Sequence, residues 1–293
     1  MVKNIIISLY GLNIEEPFDH FKLGKFILCN TSYLKKIDSG SKWCDEYGMS
    51  YIVYSCNESN IGSAKFNEKF SSIVDEFLNV TLYMIGNRHD KKYKENIFCL
   101  RKEKGDFIYC GEELTLIKTF PNSGISLPCY DIDESFFDEE GNSKTLYNYV
   151  DKVPPTEIEK KIKLAVSWMG HSLDNRNMVE SYMSLSIALE VLLSGNNSPL
   201  ERGVAYQLRE FGAFLAADTL ENRMSIYKTL KELYNIRCSI SHRGTAKNLS
   251  ENKYYELFNI LKSIIHKLFV LLEQDNINTF EKLKKYIENK KFI

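Results

Sequence analysis

Leu233-Tyr234-Asn235-Ile236-Arg237-Cys238-Ser239-Ile240-Ser241-His242 decides how the second half of this chain folds and where its chemistry lies. The apolar spacing predicts an amphipathic helix from Asp218 to Ser241, with Ile226, Leu230, Leu233 and Ile240 on one face. At about 100° per residue, Arg237 falls within about 20° of the middle of that stripe, where a leucine is expected. A guanidinium stays charged at any working pH, and burying it unpaired is costly. It must therefore meet a carboxylate inside the fold or an anion across an interface.

Helical signals extend from this segment in both directions. Upstream, Pro154-Pro155 marks a boundary, and Thr156 with Glu159 has the spacing of a capping box. Ile158, Ile162, Ala165, Val166 and Met169 then form one apolar face. A second helix is predicted from Asn177 to Leu193, closed by Gly195, and a third from Ser198-Pro199, carrying Val204, Leu208, Phe211 and Leu215. Asp218 and Glu221 open the Arg237 helix. Downstream, Tyr254, Leu257, Leu261, Ile264, Leu268 and Leu271 define a helix over 251–273, and Phe280, Leu283 and Ile287 a short one from Thr279. Four main helices with short links and a tail helix predict an up-and-down bundle over 151–293.

Residues 1–150 have a different rhythm. Strands are expected at Ile5–Tyr10, Lys25–Asn30, Ser50–Cys56, Val80–Ile85, Ile97–Arg101, Phe107–Cys110 and Leu114–Phe120. Phe70, Ile73, Val74, Phe77 and Leu78 mark one helix among them, and turns are expected at Gly86–Asp90 and Lys104–Asp106. The expectation is an α+β N-terminal domain followed by an all-α helical bundle. The acidic stretch from Asp131 to Gly141 fits no EF-hand spacing and reads as a solvated interdomain loop rather than a metal loop.

Composition excludes several classes. At 293 residues, 44% hydrophobic and 26% charged, the chain is an ordinary globular sequence, without the roughly 20-residue apolar run of a membrane span. Seven scattered cysteines with no C-x-x-C pair read as reduced thiols, which predicts a cytoplasmic protein with no metal and no cofactor. Residues 151–293 hold 21 Lys and Arg against 17 Asp and Glu, leaving 17 against 22 in residues 1–150. Neither half is a polycation, so any anion site is a small pocket, and the C-terminal half is the better place for it.

Arg237 and His242 supply the chemistry. On an unbroken helix His242 lies about 140° around from Arg237. The two share a site only if the helix ends near Ser241, for which Gly244 offers a stop, or if a second copy completes the site. An arginine and a histidine without metal ligands, paired carboxylates or a phosphate loop suit metal-independent RNA cleavage, in which the neighbouring 2′-OH attacks the phosphate. Histidine exchanges a proton near neutrality, and arginine offers a fork to the phosphate.

Three segments resemble the Apea-like branch of the HEPN superfamily. They are Met183-Ser-Leu-Ser-Ile-Ala-Leu-Glu190-Val-Leu-Leu193, the arginine-bearing third helix around Gln207-Leu-Arg209, and Leu233 to Gly244 with its Arg237 and His242. The last is similar to the family's Tyr, two residues, Arg-Ser, two residues, His-Gly pattern, within the broader R-x4–6-H motif. It departs by Cys238 after the arginine and by Arg243 before the glycine. The similarity covers about Thr156 to Leu272. It implies a HEPN-type bundle, a homodimer whose two Arg/His motifs meet at the interface, ribonuclease activity on an RNA substrate leaving 2′,3′-cyclic phosphate ends, and a role in anti-phage defence or a toxin system. Other HEPN domains are inactive and bind nucleotides or protein partners, which is the alternative.

Around the pair, Glu190 interrupts an apolar run and needs a cation, for which Arg237 and Arg209 are the candidates. Tyr234, one turn before Arg237, packs in the core or stacks on a base. Ser239, Ser241 and Arg243 are candidate supporting or substrate-binding residues. Arg243 and Lys247 would hold flanking phosphates or simply face solvent. Cys238 reads as a small core residue, His266 as a helix residue, and His20, His89 and His171 stand outside any motif. The N-terminal domain is expected to be regulatory, sensing a phage or cellular trigger, with no membrane association.

Overall fold

In a computed structural model the chain divides into two compact units, residues 1–151 and 152–293. The structure describes residues 3–37, 49–56, 63–87, 101–102, 108–110, 130–138, 143–153, 155–174, 177–195 and 203–291.

The first unit is α+β. Strand β1 (Lys3–Tyr10) is followed by β2 (Leu12–Ile14), β3 (His20–Leu23), β4 (Phe26–Cys29), helix α1 (Thr31–Ile37) and β5 (Met49–Cys56). Helix α2 (Ala64–Asn87), strands β6 (Arg101–Lys102), β7 (Ile108–Cys110) and β8 (Tyr130–Ile132), and helices α3 (Ser135–Asp138) and α4 (Ser143–Tyr149) complete it. The antiparallel sheet runs β3-β4-β5-β1-β6, with β7 also on β1, while β2 and β8 form a separate parallel pair. Period-two alternation gives the sheet two faces. Cross-strand partners Ile5 and Tyr54, Ile7 and Ile52, and Phe26 and Tyr54 share one face, where Phe26 meets Phe77 and Tyr54 meets Phe70 of α2. Ile6, Tyr51, Val53 and Cys29 occupy the other with Leu34 of α1.

Two expectations fail here. Val80–Ile85 is the second half of α2, not a strand, and the turn expected at Gly86 begins with that helix still running to Asn87. The run is buried on every side, so neither its β-branched residues nor a periodicity distinguishes helix from strand. Asn79, the turn-prone residue between it and Leu78, stays buried inside the helix, and Thr81 satisfies its hydroxyl locally by donating to the Phe77 carbonyl at 3.0 Å. The acidic stretch is not a solvated loop at its start. Asp131 lies in β8, where it accepts from Asn13 at 2.8 Å, and Phe136 and Phe137 of α3 are buried. The strands expected at Ile97–Arg101 and Leu114–Phe120 lie outside the described residues, except that Arg101 opens β6. The turn at Lys104–Asp106 also lies outside them.

The second unit is all helical: α5 (Glu157–Asp174), α6 (Met178–Leu193), α7 (Val204–Ala216), α8 (Leu220–Arg243), α9 (Glu251–Gln274) and α10 (Phe280–Lys290). The caps explain most of the boundaries. Thr156 and Glu159 form the expected capping box, with Thr156 N–H donating to Glu159 at 2.8 Å and Glu159 N–H to Thr156 at 3.3 Å. Asn177, Thr219, Ser250 and Thr279 each accept a backbone N–H of the helix they open. The Arg237 helix thus starts after Thr219, not at Asp218. Helix α6 ends at Ser194 in extended conformation, before Gly195. Helix α7 begins at Val204 after Gly203, and Ser198-Pro199, where its start was expected, lies outside the described residues.

Helix α9 is the centre of the bundle and packs against α5, α6, α7 and α8. Where α7 meets α8, a Cβ on Gly212 would stand 2.5 Å from a terminal methyl of Leu230, so any larger residue would make that side chain shift. Among the described residues, no helix is long and apolar enough to cross a membrane.

Candidate functional site

Helix α8 carries the arginine, and α6 positions it. Leu230, Leu233 and Ile236 bury α8 into the bundle, which leaves Arg237 at the edge of the apolar stripe with 23% of its side chain exposed. The buried Tyr182 of α6 donates from its hydroxyl to the Leu233 carbonyl at 2.7 Å, one turn from Arg237. Burial pushes that hydroxyl well above its ordinary pKa, so it is a permanent donor that fixes the two helices in register. In the sequence it stands among Glu180, Ser181 and Ser184, just before the apolar run of α6.

The cation expected for Glu190 is Arg237, not Arg209. Arg237 Nε stands 3.0 Å from Glu190 Oε1. Both atoms are buried, and their alignment is too poor for a hydrogen bond, so the contact is an ion pair held by proximity. Among the described residues, neither terminal nitrogen of Arg237 donates to a protein group. The guanidinium carbon lies 5.8 Å from the Tyr234 ring centroid. Tyr234 is half-buried, and its hydroxyl is pushed above its ordinary pKa by burial first, then by Cys238 and Glu190, with Arg237 opposing. The result is an arginine anchored at one nitrogen, backed by a ring, with its fork open.

His242 does not join this cluster within one chain. Helix α8 does not end near Ser241; it runs through Arg243, and Gly244 closes it in the left-handed region at φ 62°. The Gly244 N–H reaches the Ile240 carbonyl at 3.1 Å, and the Thr245 N–H reaches that of Ser239 at 3.3 Å. His242 is therefore helical and exposed, about 140° around from Arg237 and about 7.5 Å further along the axis. The short arc between them carries Tyr234, Cys238 and Ser241. Ser241 points toward α6, its hydroxyl 3.9 Å from the Met183 sulfur. Ser239 and Arg243 lie on other sides of α8, and Arg243 is exposed. Of the expected site residues, the fold gathers Glu190, Tyr234 and Arg237, places Ser241 beside Met183 of α6, and leaves His242, Ser239 and Arg243 outside.

Beside Glu190, the outer face of α6 carries Val179, Met183, Ile187 and Val191, all apolar and all half-buried. Glu180 and Ser184 share that arc, so this face is largely, not wholly, apolar. Among the described residues no three His, Cys, Asp or Glu side chains gather as a metal site. Protein-family models, curated proteins and solved structures offer no match to this chain. The geometry around Arg237 carries the functional reading.

Proposed function

We propose that the chain is a metal-independent endoribonuclease of the HEPN type, serving anti-phage defence or a toxin system. It acts as a homodimer in which Arg237 of one protomer works with His242 of the other. The observation that carries this reading is the anchored Arg237, whose fork is open while the histidine of the same chain lies on another face of the helix. A site with both residues then needs a second copy, and the largely apolar outer face of α6 supplies a surface for it.

In the reaction, His242 as general base takes the proton of a ribose 2′-OH, whose oxygen attacks the adjacent phosphorus. The P–O5′ bond breaks, the 5′-oxygen takes a proton from solvent water as His242 returns its own to solvent, and a 2′,3′-cyclic phosphate remains. Arg237 holds the phosphate oxygens and the negative charge that grows on them. Glu190 keeps the guanidinium oriented, and Tyr234 limits its motion.

Mixing variants tests the composite site. Arg237→Ala and His242→Ala should each be inactive alone, and their co-expressed mixture should regain about a quarter of wild-type cleavage, since half the dimers then hold one intact site of two. Activity in EDTA with cyclic phosphate ends is expected. No regain with wild-type cleavage intact would overturn the composite site. A wild-type protein that binds nucleotide through Arg237 but cleaves no RNA identifies a nucleotide-binding HEPN instead.

A further inference from the structure

Arg237 is one of three arginines along the second unit that share one arrangement. Arg223 of α8 anchors its Nε on the Ala217 carbonyl at 3.1 Å and lies over Phe214 of α7, 4.5 Å from the ring centroid. Arg209 of α7 anchors its Nε on the Ala205 carbonyl at 2.8 Å and lies over Tyr227 of α8, at 5.2 Å. Arg237 anchors its Nε on Glu190 and lies beside Tyr234. Nε donates to a backbone carbonyl in Arg209 and Arg223 and faces the Glu190 carboxylate in Arg237; an aromatic ring backs each guanidinium, and among the described residues the terminal nitrogens donate to no protein group.

The three also align. On α8, Arg223, Tyr227, Tyr234 and Arg237 fall within about 80° of arc at about 100° per residue, and Arg209 and Phe214 reach the same seam from α7. All six side chains are half-buried. The nearest carboxylate on α7, Glu210, is paired with Lys291 at 2.9 Å. Arg223 and Arg237 are fourteen positions apart, about 21 Å along the axis.

Surface arginines that serve stability alone usually meet carboxylates, and here only Arg237 does. Planar cations fixed on rings, with open forks in a row, match alternating phosphates and unstacked bases. The geometry points to a binding strip for single-stranded RNA along α8, running from Arg223 past Arg209 to Arg237. This inference rests on the reading of Arg237 as an RNA-cleaving residue and adds how the strand reaches it.

The test measures binding separately from cleavage. The probe is a fluorescent single-stranded RNA of about eight nucleotides with 2′-methoxy sugars, which cannot cyclise, titrated against the full chain at several salt concentrations. Three phosphate contacts predict a slope of log affinity against log salt of about −2. Arg209→Gln with Arg223→Gln should weaken binding at least about tenfold and flatten the slope toward about −0.7, while the melting temperature stays near wild type. Arg209→Lys with Arg223→Lys keeps the charge without the stacked fork, and should keep the slope while losing about fivefold in affinity. A glutamine variant within about twofold of wild type overturns the strip, as does equal affinity for a duplex of the same length. Wild-type protein that cleaves RNA but is indifferent to both variants retains the nuclease and loses the strip. Binding through the strip with no cleavage of unmodified RNA does the reverse.

Discussion

Helices α8 and α9 are each 24 residues long and belong to the same bundle, yet α9 buries ten side chains and α8 only three. Helix α9 is a structural axle: Leu257, Leu261, Ile264 and Leu268 are almost wholly removed from water among four neighbouring helices. Helix α8 is held by Leu230, Leu233, Ile236 and the Tyr182 hydroxyl, and leaves arginines and tyrosines half-exposed along its seam. Packing needs apolar area, whereas recognition needs polar groups kept partly wet. One helix cannot maximise both, so the bundle divides the tasks.

The largest expected effect comes from breaking the axle. Leu261→Ala should lower stability by about 2–5 kcal/mol, the range for a fully buried leucine whose cavity cannot collapse. Denaturant unfolding of the full chain measures it, and a loss well under about 1 kcal/mol would mean α9 is not central.

On α8 the balance should invert. His242→Ala should reduce RNA cleavage by about 10²-fold or more, with stability within about 0.5 kcal/mol of wild type, because the imidazole is exposed. Arg237→Ala should lose as much cleavage and about 1 kcal/mol of stability. Its Glu190 partner keeps 28% of its side chain in water and is not left fully buried. A large drop in melting temperature for either variant would show that α8 serves packing as α9 does.

The smallest effect concerns the start of the bundle and depends on pH. Burial pushes the Glu159 carboxyl up, but Lys152 and the Thr156 amide and hydroxyl outweigh it and hold the pKa below the ordinary 4.5. A carboxylate with a depressed folded pKa contributes stability above the ordinary value and loses it as pH falls through the folded one. Glu159→Gln should therefore cost about 1 kcal/mol at neutral pH, and the difference from wild type should shrink below about pH 4.5. Thermal melts across that range check it, and a constant difference would assign the cost to packing alone.

The sequence by itself determined the helical unit and several of its caps, though not the start of α7. Thr156, Asn177 and Thr279 satisfy N–H groups within one turn, and the apolar spacing of α5, α9 and α10 matches their buried faces, because helical signals are local. It also singled out Arg237 and Glu190, since charges in apolar runs need partners wherever they fold. Less was legible in the first unit, where β2 pairs with β8 across more than a hundred residues and the buried run Val80–Ile85 carries no period. Tertiary structure alone decided that Glu190 takes Arg237 rather than Arg209, because the packing of α6 against α8, with the Tyr182–Leu233 bond across it, brings those two side chains to the same height. It also decided that α8 continues past Ser241 and turns His242 away from Arg237. Gly244 was read correctly as a stop, but its carbonyl acceptors, Ser239 and Ile240, keep the last turn helical through Arg243.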